Sequence, residues 1–407
     1  MLERSILAPG VVERIGLDAE SVNSLVVVMQ KLTDGVFIAL IAIMKENLPA
    51  NQAERVHFIL KVLVVPDKDD MIFKLTYQQK KIYNTILNNL QQGKLTVNIS
   101  CIYNNDDIST AFTAIKAERP EYFYVKNNYT IWSSRTTKSI KLESNVPVNQ
   151  INDYAKSLRD CANKIIDDRI RPEMNSVQKA LILHDFLTET VTYEIPNEKA
   201  KNEWQFYCAY GALINKRAVC SGISSAYSYL LHLLGIEATM ISGNPQKKDF
   251  FSNLINKNED HAWNIVCLEN QYYHIDVTWD LPSFCNTHVR MNLYDYFCLN
   301  DEDLKGRQWK RNHYPCCTEQ KYNFFFSTNA IAHNDAEAKM IITRQAKSDY
   351  KILYFRCVYM DALGTKNEII EHFSGLIRSD KKLSLLFMGT LWFSVREELR
   401  IVCIGCE

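Results

Sequence analysis

The chain has 407 residues, 47% of them apolar and 23% charged, with 47 basic and 47 acidic side chains. This is the composition of an ordinary soluble globular protein, with material for two or three domains and their cores. Zero net charge, without a basic run interleaved with aromatics, argues against affinity for nucleic acid or for an anionic membrane surface.

The N-terminus lacks a basic segment followed by an apolar run and a cleavage site, so no secretory signal is evident. A cytoplasmic protein is expected, or a secreted one if the start is incomplete. Residues 1–72 read as helical with a strand-like stretch from Ile59 to Val65. The apolar run from Leu25 to Met44 is broken by Lys31 and Asp34, and its clean part, Val36 to Met44, is too short to span a bilayer. Amphipathic helices are expected from Leu75 to Leu90 and from Asp106 to Glu118, before Pro120. Strand signals follow at Tyr122 to Val125 and Tyr129 to Trp132, joined through Lys126-Asn127-Asn128, and at Ser139 to Leu142. A long helix from Asn149 to Arg169 precedes Arg171-Pro172. Asn175 with Gln178 makes a capping-box start for a helix reaching Thr190. His184 on its apolar side reads as a satisfied core histidine.

The stretch Ala218-Val219-Cys220-Ser221-Gly222 opens a further helix. Ile223, Ala226, Tyr227, Leu230, Leu231 and Leu234 fall on one stripe, and Gly235-Ile236 ends it as a Schellman cap. A thiol at a helix N-terminus meets unpaired N–H groups and the positive end of the dipole, which favour thiolate over thiol. Gly211, Gly222, Gly235 and Gly243 crowd this region of a glycine-poor chain, so close backbone approach is concentrated around the cysteine.

The segment from His261 to Asp280 reads as a β-hairpin turning at Glu269-Asn270. A two-residue turn pairs Leu268 with Gln271, sets His261 opposite Thr278, and makes Asp276 a diagonal neighbour of His261 on the same face. A three-residue loop would place the two on opposite faces. Trp263 falls on the face of Asp276, as a wall of the site or a core residue. Trp279 is expected on the other face, in packing, and Asp280 as a cap on the turn at Leu281-Pro282.

These residues resemble the transglutaminase-like thiol enzyme superfamily: Cys220-Ser221-Gly222, the helix ending at Gly235-Ile236, His261-Ala262-Trp263-Asn264, and Tyr273-His274-Ile275-Asp276 running on to Asp280. The resemblance is to its bacterial, kyphoscoliosis-peptidase-like branch. It runs from about residue 174 to 326 and takes in Tyr210-Gly211, Tyr294 to Phe297 and Tyr322 to Phe325. It implies an α+β fold of papain-like, transglutaminase-core type, with a cysteine-bearing helix on an antiparallel sheet. It also implies a Cys, His, Asp triad carried onto Cys220, His261 and Asp276. Relatives often have a histidine near Arg307, where this chain departs from the pattern.

Four regions are expected: a helical 1–73, an α+β lead-in 74–172, the catalytic 173–328, and a small α/β appendage 329–407. Within the last, strands are expected at Lys351 to Val358, Leu383 to Met388 and Leu399 to Ile404, around a helix from Lys366 to Arg378. The function expected is amide acyl transfer through a thioester, hydrolytic on protein or peptide substrates. Tyr210, Trp204 and Trp263 are candidates for the oxyanion and substrate walls, although ordinary packing explains the first two better and the third equally well. A cross-linking transglutaminase and a silent binding module of the same fold are the alternatives.

No cofactor or metal is expected. The 12 cysteines do not fall into a disulfide framework. Cys403 and Cys406 supply two ligands where zinc needs four. Cys316-Cys317, Cys285, Cys298, His288 and His313 read as loop and core residues. Asn300 to Asp303 lacks the ligand alternation and glycine of a calcium loop and reads as an acidic helix start. The oligomeric state is not legible.

Overall fold

A computed structural model describes residues 71–195, 203–245, 261–282, 293–347, 352–387, 389–397 and 399–406. The helices expected in residues 1–70, with His288 and Cys285, lie outside the described residues.

Helix α1 (Tyr77–Gln91) starts on a capping box in which Thr76 and Gln79 satisfy each other's backbone N–H groups. Strand β1 (Thr96–Ser100), helix α2 (Asn105–Glu118), β2 (Val125–Ser133) and β3 (Thr137–Ser144) follow, and the strands form an antiparallel sheet in the order β1-β3-β2. Lys126-Asn127-Asn128 is no loop between two strands. It is an irregularity inside β2, where the register against β3 shifts between Val125 and Tyr129. Such a bulge leaves polar side chains unpaired within a strand, which is why they look like a turn in sequence.

Helices α3 (Ile151–Arg169) and α4 (Ser176–Thr190) come next, α4 on the expected Asn175/Gln178 capping box. The short parallel pair β4 (Thr192–Tyr193) and β5 (Arg217–Ala218) precedes α5 (Cys220–Leu233). Strands β6 (Ala238–Asn244), β7 (His261–Leu268), β8 (Gln271–Ile275) and β9 (Gln308–Trp309) make an antiparallel sheet in the order β8-β7-β6-β9. The chain is thus α+β, with the cysteine-bearing helix packed on β6 and β7.

The last part contains α6 (Phe324–Ser327), β10 (Ile331–Ala332), α7 (Asp335–Lys347), β11 (Ile352–Cys357), α8 (Lys366–Ser379), α9 (Lys381–Leu386), β12 (Leu391–Arg396) and β13 (Ile401–Cys406). Its sheet runs β10-β11-β13-β12. The strand expected at Leu383 to Met388 is helical from Leu383 to Leu386. Asp380 accepts the N–H groups of Lys382 and Leu383 at 3.0 and 3.2 Å and starts a short helix there. The edge strand lies later, at β12, because a short apolar run does not by itself tell helix from strand.

One apolar core runs through all three larger sheets, from Ile72 to Ile404. Polar links join the last sheet to the segment between β8 and β9. The Tyr354 hydroxyl accepts the Tyr294 N–H at 3.2 Å, Arg356 donates to Asp303 at 2.7 Å, and Arg396 pairs with the buried Asp295. No helix among the described residues is long and apolar enough to cross a membrane.

Candidate active site

The start of α5 carries no side-chain cap: Val219 is the cap residue, and its own N–H donates to the Phe206 carbonyl at 3.0 Å. The N–H groups of the first turn are therefore left for whatever lies at the helix mouth. Gly222 is required by close approach, since a Cβ there would stand 2.3 Å from the Phe206 oxygen. At the other end the Ile236 N–H reaches the Leu231 carbonyl at 3.0 Å and the Gly235 N–H the His232 carbonyl at 2.9 Å, with Gly235 at φ 69°. That is the expected Schellman cap. Ser224 donates to the Ala262 carbonyl, and Asn264 donates to the Ser224 carbonyl and to the Ser228 hydroxyl, at 2.8–3.1 Å. These buried bonds fix α5 against β7, and so fix Cys220 relative to His261.

The hairpin turns at Glu269 and Asn270, with φ of 50° and 63°, and Leu268 pairs with Gln271 as the two-residue turn requires. The ladder stops at Asn264 opposite Ile275, so His261 and Thr278 do not form a strand pair. Past that point the chain coils back, and His261 Nε2 still lies 2.8 Å from Asp276 Oδ2. Because the alternation ends there, Trp279 does not point away. Its ring stacks on His261 at 5.1 Å, which corrects the expectation of remote packing. Trp263 stacks on the same imidazole at 6.0 Å, as its position on the hairpin face requires.

Asp276 is saturated with donors. Oδ2 receives His261 Nε2 and Arg307 Nη1 at 2.8 and 2.7 Å, and Oδ1 receives the Trp279 N–H at 3.3 Å. The Arg307 guanidinium lies over Trp279, 3.9 Å from the ring centre, and also faces Trp263 and Tyr296. Burial penalises the carboxylate, but the charges of His261 and Arg307 outweigh it and hold the acid below its ordinary range. Burial likewise opposes the imidazolium of His261. The Asp276 charge and hydrogen bond, with the Cys220 side chain, outweigh that too and raise its pKa to about 9. With Nε2 engaged by Asp276, His261 Nδ1 is buried and has no hydrogen-bond partner among the described residues, and the Cys220 side chain lies near enough to add to the rise in the imidazole's pKa. Cys220 itself is 9% exposed.

Tyr210 and Trp204 pack with other rings, and Trp204 also lines a cavity that reaches Ser221. They sit in a ring cluster with Phe123 and Tyr154, Trp204 stacked on Phe123 at 5.9 Å. His184 is the buried, satisfied histidine expected, with Nε2 on Asp280 at 3.0 Å and Nδ1 on Asp185 at 3.3 Å. Asp280 therefore does not cap the turn at Leu281-Pro282; it pairs inward and accepts the Tyr296 N–H. Asn300 to Asp303 starts no helix, since Asn300 and Asp303 bond each other's N–H groups across a turn. The sequence marks Arg307 only as a departure from the resemblance; its pairing with Asp276 is not legible, because the two are 31 residues apart and Arg307 lies in a stretch with no periodic pattern.

One further cluster has the composition of a metal site: His274, Asp301 and Cys317 offer ligand atoms within 4.8 Å of one another. The Trp263 indole, a pure donor, gives its N–H to His274 Nδ1 at 3.1 Å. The proton of a neutral ring must then sit on Nε2, which donates to Asp301 at 2.8 Å. No lone pair is left facing Asp301 and Cys317, and burial holds the Cys317 thiol protonated. These residues do not fit a cation.

Residues 164–277 match the family model of the Transglutaminase-like superfamily. Over that stretch, which contains Cys220, His261 and Asp276, the chain is transglutaminase-like, as the resemblance implies. Among solved structures it is similar to a TGase at 14% identity and a TM-score of 0.26, over 49% of this chain and 54% of that one. It is also similar to a candidate cysteine protease from Cytophaga hutchinsonii, at 14% identity and 0.24, over 38% and 63%. A candidate protease from Parabacteroides distasonis follows at 13% and 0.21, over 36% and 35%. The chain spans less than two thirds of each. No curated protein matches it.

Proposed function

We propose that the chain is a thiol-dependent amide hydrolase, a cysteine peptidase or amidase acting on protein or peptide substrates, with Cys220 as nucleophile, His261 as base and Asp276 as orienting carboxylate. The observation that carries this reading is the division of labour at His261: Nε2 is held by Asp276, while Nδ1 is left without a partner among the described residues, on an imidazole that also feels the Cys220 side chain. Such an arrangement holds the imidazole in one orientation and gives it one proton to take.

His261 holds the Cys220 proton in the ground state as an imidazolium–thiolate pair, and the thiolate adds to the amide carbonyl. The oxyanion meets the Cys220 N–H at the uncapped helix mouth. His261 returns its proton to the leaving nitrogen, the C–N bond breaks, and a thioester remains on Cys220. Water then attacks, losing a proton to His261, and a carboxylate leaves as the thiol is restored. Trp263 and Trp279 both stack on the imidazole and hold its orientation. We place this machinery within residues 173–328, with 74–172 supplying a wall beside it.

The test is alkylation of Cys220 by a small thiol reagent at about pH 6.5, below the range where ordinary cysteines ionise, mapped by mass spectrometry. Selective reaction of Cys220 that His261→Ala abolishes is expected. Reaction no faster than at Cys316 or Cys406, both exposed, defeats the proposal. With peptide substrates, incorporation of a labelled amine in place of hydrolysis would assign cross-linking instead.

A further inference from the structure

Two cavities, of about 320 and 420 Å³, share Lys116, Asn127 and Met240 in their walls. Each falls within the size range of ligand sites, and the shared residues make them compartments of one groove. The first reaches Ser221, the residue after Cys220; the second extends past Ser242 on β6 to Lys310. One wall is α2 and the bulge of β2, the other is α5 and β6. The groove therefore runs beside the helix mouth and passes the end of the sheet that carries His261.

Its charge is one-sided. Lys116, Arg119, Lys126 and Lys310 line it, and no Asp or Glu does so among the described residues. Two of these cations are already compensated, Lys126 by Glu143 at 3.2 Å and Arg119 by the Tyr83 hydroxyl with Glu118 and Glu121 nearby. Lys116 is different. Its ammonium donates to the Val125 carbonyl at 2.5 Å and has no carboxylate partner among the described residues. Lys116 is half-buried, and burial without a counter-charge lowers its pKa to about 8. An ammonium has three donors, so an arriving anion finds unused ones. Lys310, at the far mouth, is exposed and likewise without an ion pair among the described residues.

We propose that this groove binds an acidic stretch of polypeptide and that Lys116 selects it by pairing with one of its carboxylate side chains. The inference rests on the reading of Cys220 as the nucleophile toward which the bound chain is led. Aromatic and aliphatic side chains between the cations, among them Phe123, Tyr207 and Met240, suit a peptide with apolar positions between its acids. Peptide carboxylates match single ammonium groups set apart along a groove, whereas a phosphate prefers a bidentate guanidinium fork.

The test uses the full chain as Cys220→Ala and reads fluorescence anisotropy of labelled peptides in which glutamates alternate with apolar residues, beside the same peptides with glutamine. The glutamate peptide is expected to bind at least about tenfold more tightly, and Lys116→Met to remove that advantage while the glutamine peptide is unmoved. Lys310→Gln, an exposed change that does not threaten folding, should cost about threefold at low salt and less at physiological salt. Lys164→Gln, an exposed charge outside the groove, serves as the control for net charge and should cost nothing. Equal binding of both peptides overturns the proposal, as does an equal loss in Lys164→Gln. Competition by an oligodeoxynucleotide or by inorganic phosphate as strong as that of the glutamate peptide overturns it too. A reactive Cys220 with no glutamate preference sinks this inference alone; a glutamate preference with an inert Cys220 sinks the proposed hydrolase and leaves the binding groove.

Discussion

The hairpin of β7 and β8 carries two buried histidines, each 2.8 Å from a carboxylate: His261 on Asp276 and His274 on Asp301. Distance does not tell them apart, yet their protonation runs in opposite directions. His261 is raised to about 9, while His274 is lowered, because burial there outweighs the attraction of Asp301, with Arg307 and Arg311 adding repulsion. The separating residue is Trp263, whose ring stacks on the first imidazole and whose N–H fills Nδ1 of the second. A His–carboxylate pair is therefore only half of a description. The other ring nitrogen differs: Nδ1 of His261 is unpaired among the described residues, whereas Nδ1 of His274 is filled by an indole donor.

The largest expected effect comes from the residue that holds the first pair together. Arg307→Met leaves the buried Asp276 carboxylate without its second cation, and loss of one partner of a buried ion pair costs about 3–5 kcal/mol. Urea denaturation should show a midpoint far below wild type; a change of less than about 1 kcal/mol would mean that Arg307 is dispensable to the pair.

Next in size is the pH dependence of stability. The gain from protonated His261 is complete below its ordinary 6.5 and is lost as pH rises through about 9, and it amounts to on the order of 3 kcal/mol. His184, also raised to about 9 between Asp185 and Asp280, contributes in the same window. Asp276, depressed, contributes above its ordinary 3.8 and loses its contribution as pH falls. Thermal melts from pH ~7 to ~10 should show a falling midpoint, and His261→Asn should flatten roughly half of the slope. A slope unchanged by that substitution would contradict the assignment.

Trp263→Phe keeps the stack on His261 but removes the N–H to His274, at a cost of about 1–2 kcal/mol. With Nδ1 released, His274 should gain a proton at higher pH than in wild type, visible as a shifted imidazole titration by NMR, while the titration of His261 stays put. Movement of both rings together would erase the distinction drawn between them. Smallest of all, Asn270→Gly relieves a left-handed residue in the turn and should raise stability by at most ~1 kcal/mol without disturbing the pairing of Leu268 with Gln271. Strand-register changes in cross-strand NOEs would show that Asn270 sets more than the turn.

What could be read in advance was what short-range chemistry specifies. Gly235 announced the end of α5, Asn175 and Gln178 the start of α4, and Glu269-Asn270 the turn that sets Leu268 against Gln271. Trp279 was misplaced because alternation was carried past Ile275, where the ladder ends and the chain coils. Arg307 and Asp280 were missed or misassigned because their partners, Asp276 and His184, are far away in sequence and nothing local marks them. The apolar stretch from Leu383 was misread because the cap that makes it helical is a single aspartate, Asp380.

The tie between Asp295 and the last sheet sets a limit on cutting the protein down. Asp295 is fully buried, and the cations that offset it, Arg396 by direct pairing and Arg356 by its field, both lie in strands after residue 350. A fragment ending near residue 328 would keep Cys220, His261 and Asp276 but strand an anion inside the protein. Trimming to a minimal enzyme should therefore carry β11 through β13 along, or replace Asp295 with asparagine.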